Sequence, residues 1–335
     1  MVLKELDVRH NSRNANTRPS LPSHKDEVGY KLPPQNPWPA AGGFVSVRAY
    51  AKINLFLDVL GKRDDGLHDI QSVIQPVELH DELRISINDE NTEEKFTISC
   101  NEKSIPLDET NLIIKAAKLL DEKYNFPKSV HFDLNKKIPM GAGLAGGSAN
   151  CAAALRGLNA FFDLNISKRK LALYGQTLGA DVPFCVHGKT AFVEGFGEKV
   201  KELEFYPHCP VIIVCPDIFV STSEIYSRLD SVTDYNKPPL GDHIEFLLED
   251  RFIFEEEKEI ADRFYNIFTP VTTEKHPEIL EIIDELKSMP GVLNASMTGT
   301  GSAVFAYFNY DDKDNPKKVF DAFKDKYNTI QTKTI

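Results

Sequence analysis

Four glycines fall within seven residues in the run Pro139-Met140-Gly141-Ala142-Gly143-Leu144-Ala145-Gly146-Gly147-Ser148-Ala149-Asn150. The run follows a strand-like segment, Ser129 to Ile138, and opens onto an Ala- and Leu-rich segment, Cys151 to Phe161, that reads as a helix. Glycines here let the backbone reach positive φ and approach an anion closely, while the helix aims its free N–H groups at the same point. A polyphosphate is the natural guest; a tight turn without a ligand is the bland alternative. Two familiar phosphate motifs are disfavoured. No Gly-Lys-Ser/Thr follows the glycines, and although Gly141, Gly143 and Gly146 have GxGxxG spacing, the preceding strands alternate like a half-exposed sheet, which argues against a dinucleotide fold.

The remaining composition narrows what can bind there. The 335 residues suffice for two domains, with 41% hydrophobic and 27% charged residues, as in ordinary globular proteins. No apolar run approaches the roughly 20 residues that span a bilayer, so a membrane role is not expected. A net charge of −11 argues against a nucleic-acid partner, whose phosphates attract clustered Lys and Arg. The five cysteines are odd in number and without CxxC spacing, which reads as a reducing compartment, and no metal-ligand set of Cys and His emerges. A cytoplasmic location is expected.

Residues 1–43 hold six of the 20 prolines and little hydrophobic periodicity, and read as a flexible extension, with organelle targeting as the alternative. From Phe44 the pattern becomes strand-rich (FVSVRAYAKINLFLDVLG, DIQSVIQPVELHDELRISIN, KFTISC), then helical from Asn111 to Tyr124 with Ile113, Ala116, Ala117 and Leu120 on one face. Ser167 caps a helix expected to stop at Gly179. A second strand-rich stretch starts at Pro210. It is followed by a helix from His276 to Ser288, a strand from Leu293 to Met297, a glycine turn from Gly299 to Gly301, a strand from Val304 to Phe308 and a helix from Pro316 to Tyr327. That order suggests a split βαβ sandwich, and residues 44–205 and 206–335 read as two domains.

Individual residues carry two readings each. Lys52, in Ala51-Lys52-Ile53-Asn54-Leu55, interrupts an apolar strand and faces either a cleft or solvent, and Asn54 projects from the same side. Asp181, in Leu178-Gly179-Ala180-Asp181-Val182-Pro183-Phe184, is by pattern alone a helix N-cap. Thr298-Gly299-Thr300-Gly301-Ser302 is by pattern alone a β-turn, and Asn111 an ordinary helix start.

The run PMGAGLAGGSAN resembles the phosphate-binding signature of the GHMP kinase superfamily. Together AKINLFLDVLGKRDDGLHDI, LGADVPF and MTGTGSAVFA resemble, in order and spacing from about Val45 to Phe308, its branch acting on the cytidine diphosphate ester of methylerythritol. The resemblance implies a two-domain α+β fold: an N-terminal ribosomal protein S5 domain 2-like β/α domain and a C-terminal ferredoxin-like domain. It also implies ATP and Mg2+, a small-molecule substrate, and a monomer or homodimer.

By that resemblance Asp181 is the general base and Lys52 the charge stabiliser. Pro139, Met140, Gly141, Ala142, Gly143, Leu144, Ala145, Gly146, Gly147 and Ser148 hold the nucleotide phosphates, with Asn111 on the adenine side. Asn54, His68, Thr222, Tyr226, Gly299, Thr300 and Gly301 meet the substrate. Mg2+ is expected on the phosphates, water and Ser148, without a protein ligand set. Leu67 stands where the family has tyrosine, which removes an aromatic face from the base pocket. Ala149 stands where the family often has a second serine, and Ala145, in place of glycine, is expected at a position not needing positive φ. A kinase for another small alcohol (homoserine, mevalonate or a sugar) and a catalytically silent nucleotide-binding relative are the alternatives.

Overall fold

The computed structural model describes residues 43–88, 94–204, 206–235 and 257–335. The expected flexible extension lies outside these residues, apart from Gly43. The spine is a long antiparallel hairpin of β1 (Phe44–Lys62) and β2 (His68–Ile87). At its start β1 alternates, with Val45, Val47 and Ala49 buried and Arg48 exposed, the period-two signature of a sheet with one wet face. Further on, Ala51 to Val59 are all buried, because other elements cover both faces.

The far edge of β2 is shared by β4 (Val130–Asn135), which pairs with its C-terminal half, and β5 (Ala191–Gly195), which pairs with its N-terminal half. β3 (Phe96–Cys100) extends β4, and β6 (Lys199–Glu202) extends β5. On the other side β1 receives a two-residue parallel strand, β8 (Tyr265–Asn266), from late in the chain. Helices α1 (Leu112–Tyr124), α2 (Gly146–Phe161), α3 (Lys168–Gly175) and α4 (Val182–His187) belong to this half, and Ile113, Ala116, Ala117 and Leu120 of α1 are all buried, as their spacing predicts.

The second sheet has the order β11-β7-β10-β9, from β7 (Pro210–Cys215), β9 (Asn294–Met297), β10 (Val304–Tyr307) and β11 (Asn328–Lys333), all antiparallel. Ranked along the chain, the strands lie 4-1-3-2, the ferredoxin-like arrangement. Its helices are α5 (Thr222–Val232), α6 (Glu257–Asp262), α7 (Phe268–Lys275), α8 (Pro277–Ser288) and α9 (Asn315–Phe323). Ile212, Val214, Val304 and Ala306 face these helices, whereas Val211, Ile213, Phe305 and Tyr307 pack into the core of the first half. Burial on both faces explains why VIIV reads as a continuous apolar run.

Several elements differ from the sequence expectation. The helix expected from Cys151 starts at Gly146, inside the glycine run. α3 ends at Gly175 rather than Gly179, and the chain then goes through tight turns closed by Leu178 N–H to Gly175 O (2.9 Å) and Val182 N–H to Gly179 O (3.1 Å). β8 and β11 were not anticipated: one is too short to show a period, and the other is an edge strand with no fully buried residue.

Candidate active site

The glycine run folds as a cradle that turns into α2. Gly141 and Gly143 have φ of +65° and +76°. At Gly143 a Cβ would lie 2.2 Å from the carbonyl oxygen of Thr298, so glycine is required for the close approach of the second half's loop. Ala145 corrects an expectation. It takes φ +57°, the left-handed conformation, as N-cap of α2. The chain must reverse there to enter the helix, and alanine tolerates this at a cost of about 1–2 kcal/mol. Space matters instead at Gly146, where a Cβ would come within 3.0 Å of Lys136 Nζ. α2 has no side-chain cap and no acidic residue in its first turn, so no side chain of that turn takes the N–H groups of Gly146, Gly147 and Ser148.

Below the cradle lies a buried carboxylate. Asp81 is fully buried and accepts the N–H groups of Lys137 (2.6 Å) and Ile138 (2.8 Å) and the Asn150 amide (2.8 Å), with Lys136 Nζ 2.9 Å away. It ties the entry of the run to the second turn of α2.

Lys52 and Asn54 reach the same cleft. The β1–β2 register shifts between Tyr50 and Lys52 and again between Asn54 and Phe56, the kind of irregularity that re-aims side chains beside a site. Both residues are 3% exposed, which places Lys52 in the cleft rather than in solvent. Lys52 Nζ donates to Asn54 Oδ1 at 2.5 Å, and Lys52 N–H donates to Leu144 O of the cradle at 3.3 Å. Asn54 Oδ1 also accepts from Gly299 N–H (2.9 Å) and Thr298 Oγ1 (3.0 Å), while its Nδ2 donates to Ser72 Oγ (2.9 Å). Asn266 Nδ2 holds the same loop through the carbonyls of Met297 and Gly299, both at 2.8 Å.

Burial pulls the Lys52 ammonium below the usual lysine range, and the nearby Asp181 charge opposes the drop. Asp181 sits at the N-cap of α4, yet its side chain makes no cap hydrogen bond. Ser148 Oγ is close to Gly179, two residues before it. Asn111, by contrast, is engaged as a cap: its Oδ1 accepts Ile113 N–H (2.9 Å) and its Nδ2 donates to Pro106 O (2.7 Å).

At another wall of the cleft the His68 and Tyr226 rings lie 4.6 Å apart, and Tyr226 packs on Phe268 at 4.7 Å. Burial, with the Asp181 charge adding to it, pushes the Tyr226 phenol up, so this wall and Asp181 share one field. His68 Nε2 meets Asp230 Oδ1 at 2.7 Å. Thr222 Oγ1 and Thr300 Oγ1 are 3.2 Å apart. Leu67 is half exposed at the end of the hairpin.

With this geometry the comparisons with known proteins agree. Residues 111–189 match the GHMP kinases N terminal domain, and residues 254–329 match the GHMP kinases C terminal domain. The 4-diphosphocytidyl-2-C-methyl-D-erythritol kinase of Clostridium beijerinckii is 38% identical over 292 residues, covering 87% of this chain and 100% of that protein. That of Caldicellulosiruptor saccharolyticus is 40% identical over 262 residues, covering 78% and 87%. The chain belongs to the 4-diphosphocytidyl-2-C-methyl-D-erythritol kinase family. A crystal structure of a 4-(cytidine 5'-diphospho)-2C-methyl-D-erythritol kinase superposes with a TM-score of 0.67 at 26% identity, covering 86% of this chain and 98% of that one. Methanococcus jannaschii mevalonate kinase superposes equally well, at 0.67, but at 13% identity it speaks for the fold alone.

As a member of this kinase family the chain is an ATP-dependent kinase. Among the residues singled out from sequence, the structure brings Lys52, Asn54, Gly143, Leu144, Thr298 and Gly299 into direct contact, and His68 with Tyr226. Asp81, Ser72, Asn266 and Asp230 bond to residues of the candidate site or beside it, and the sequence pattern does not single them out. For Asp81 a signal existed: it lies in phase with Leu83 and Ile85, so a carboxylate pointed inward.

Proposed function

We propose that the chain transfers the γ-phosphoryl group of ATP to the 2-hydroxyl of 4-diphosphocytidyl-2-C-methyl-D-erythritol, a step in isoprenoid precursor synthesis. The observation that carries the reading is the buried Lys52–Asn54 pair, clamped between the cradle and the Thr298–Gly299 loop, with the uncapped Asp181 in its field.

Asp181 accepts the hydroxyl proton as the substrate oxygen attacks the γ-phosphorus. A new O–P bond forms, the bond from that phosphorus to the β,γ-bridging oxygen breaks, and ADP leaves with the electron pair. Lys52 stabilises the charge that develops on the attacking oxygen and the phosphoryl group, and Asn54 keeps its ammonium in place. Gly141 to Ser148 hold the phosphates through backbone N–H groups, with Ser148 the side-chain hydroxyl of the first helical turn. Mg2+ bound with the nucleotide would neutralise phosphate charge. The ion would be carried chiefly by phosphates, water and Ser148. His68, Tyr226, Thr222 and Thr300 form the wall for the cytidine end.

Coupled ADP release with a substrate panel tests the reading. ADP formation with the cytidine substrate, faster in Leu67→Tyr if base stacking limits affinity, supports it. A clear preference for homoserine, mevalonate or a sugar would overturn it, and ADP formation with CO2 release would point instead to a decarboxylase.

A further inference from the structure

Three donors from separate parts of the chain converge on the Asp230 carboxylate of α5. His68 Nε2 and the Tyr235 hydroxyl both meet Oδ1 at 2.7 Å, and Lys62 Nζ meets Oδ2 at 2.7 Å. Lys62 ends β1 and His68 begins β2, so Asp230 fastens a helix of the second half to the tip of the hairpin. An ionised carboxylate only accepts hydrogen bonds. These three donors hold Asp230 ionised: although burial pushes its carboxyl up, they bring it down to about 2. His68 Nε2 must therefore carry a proton.

In the neutral imidazole that leaves Nδ1 with the lone pair. The His68 side chain is 9% exposed, and Nδ1 has no hydrogen-bond partner among the described residues. Its ring is held against Tyr226, the aromatic of the same wall. An acceptor fixed beside an aromatic face suits a base that offers a donor on its edge. Cytosine offers an exocyclic amine there; uracil offers a carbonyl, which would oppose the lone pair.

The geometry points to Asp230 as a positioning residue that selects cytosine over uracil by locking His68 as the Nε2–H tautomer. The inference rests on the proposed cytidine-containing substrate, but its first readout does not. In Asp230→Asn the amide oxygen turns toward the Lys62 ammonium, because an NH2 group cannot face it. The amide nitrogen then faces His68, and the preferred tautomer inverts: Nε2 accepts and Nδ1 donates.

The test uses the full-length chain at an alkaline pH where the 15N spectrum itself shows a neutral imidazole. Imidazole 15N shifts give the tautomer of His68 without any ligand, and calorimetry gives the affinities for CDP and UDP. The expected result is Nε2–H in the native chain and in Asp230→Glu, which keeps an acceptor, and Nδ1–H in Asp230→Asn. CDP is expected to bind more tightly than UDP in the first two, with the ratio falling at least about tenfold in Asp230→Asn. With the cytidine substrate, KM should rise in Asp230→Asn while kcat and the KM for ATP hold. A merely structural residue would lower thermal stability in Asp230→Asn and leave the tautomer and the CDP/UDP ratio alone, which would overturn the inference. Native Nδ1–H, or equal binding of CDP and UDP by the native chain, would do the same. Correct tautomers and base preference in a chain that phosphorylates another alcohol would instead sink only the proposed substrate.

Discussion

Asn54 Oδ1 lies 2.5 Å from Lys52 Nζ and also accepts from Gly299 N–H at 2.9 Å, so one amide oxygen joins the candidate charge stabiliser to the loop of the other half. The Asn54→Ala substitution removes a hydrogen bond to a charged group, worth about 1.5–3 kcal/mol. We expect kcat to fall about 10- to 100-fold while KM for ATP changes little. Steady-state kinetics with both substrates varied would check it.

Asp181 separates catalysis from folding. Its side chain caps nothing, so Asp181→Asn should alter stability by no more than about 0.5 kcal/mol while lowering kcat by about 10²–10⁴-fold. Asn111→Ala is the control. It deletes a real cap and should cost about 1 kcal/mol of stability in denaturant titration.

The protonation of Lys52 sets an alkaline limit. Burial lowers its pKa, so the ammonium is lost as pH rises through a value below the ordinary lysine range, and kcat should fall on that limb. In Lys52→Arg, whose guanidinium stays charged, the residual activity should lack this limb. A kcat–pH profile of both chains reads it directly.

Asp81 anchors the cradle from beneath. In Asp81→Asn the buried Lys136, 2.9 Å away, loses its counter-charge, a change of about 3–5 kcal/mol for a buried pair. The expected outcome is a lower Tm together with weaker ATP binding, because Lys137 and Ile138 at the cradle's entry lose their acceptor.

Much of this arrangement is legible in the sequence alone. The glycine run announced its cradle through residue type alone, and Lys52 and Asn54 share a face because strand geometry repeats every two residues. What stayed hidden depends on contacts distant in sequence. Thr298 presses on Gly143 across 155 positions, and Asp230 meets His68 across 162. Neither leaves a local period. Ala145 departs from the sequence expectation because backbone conformation at a helix entry follows from the path of the chain, and alanine can bear the left-handed state where the surroundings demand it. Asp181 shows the opposite lesson: its N-cap position is real, but the cap hydrogen bond that the pattern predicts is not made.

The most direct test of the whole account is product analysis with 4-diphosphocytidyl-2-C-methyl-D-erythritol and Mg-ATP, following ADP and the phosphorylated alcohol by 31P NMR. The account predicts one ADP for each new phosphate monoester on the 2-hydroxyl, abolished in Asp181→Asn and Lys52→Ala chains that still fold. A phosphate placed elsewhere, no turnover, or turnover that survives both substitutions would contradict it.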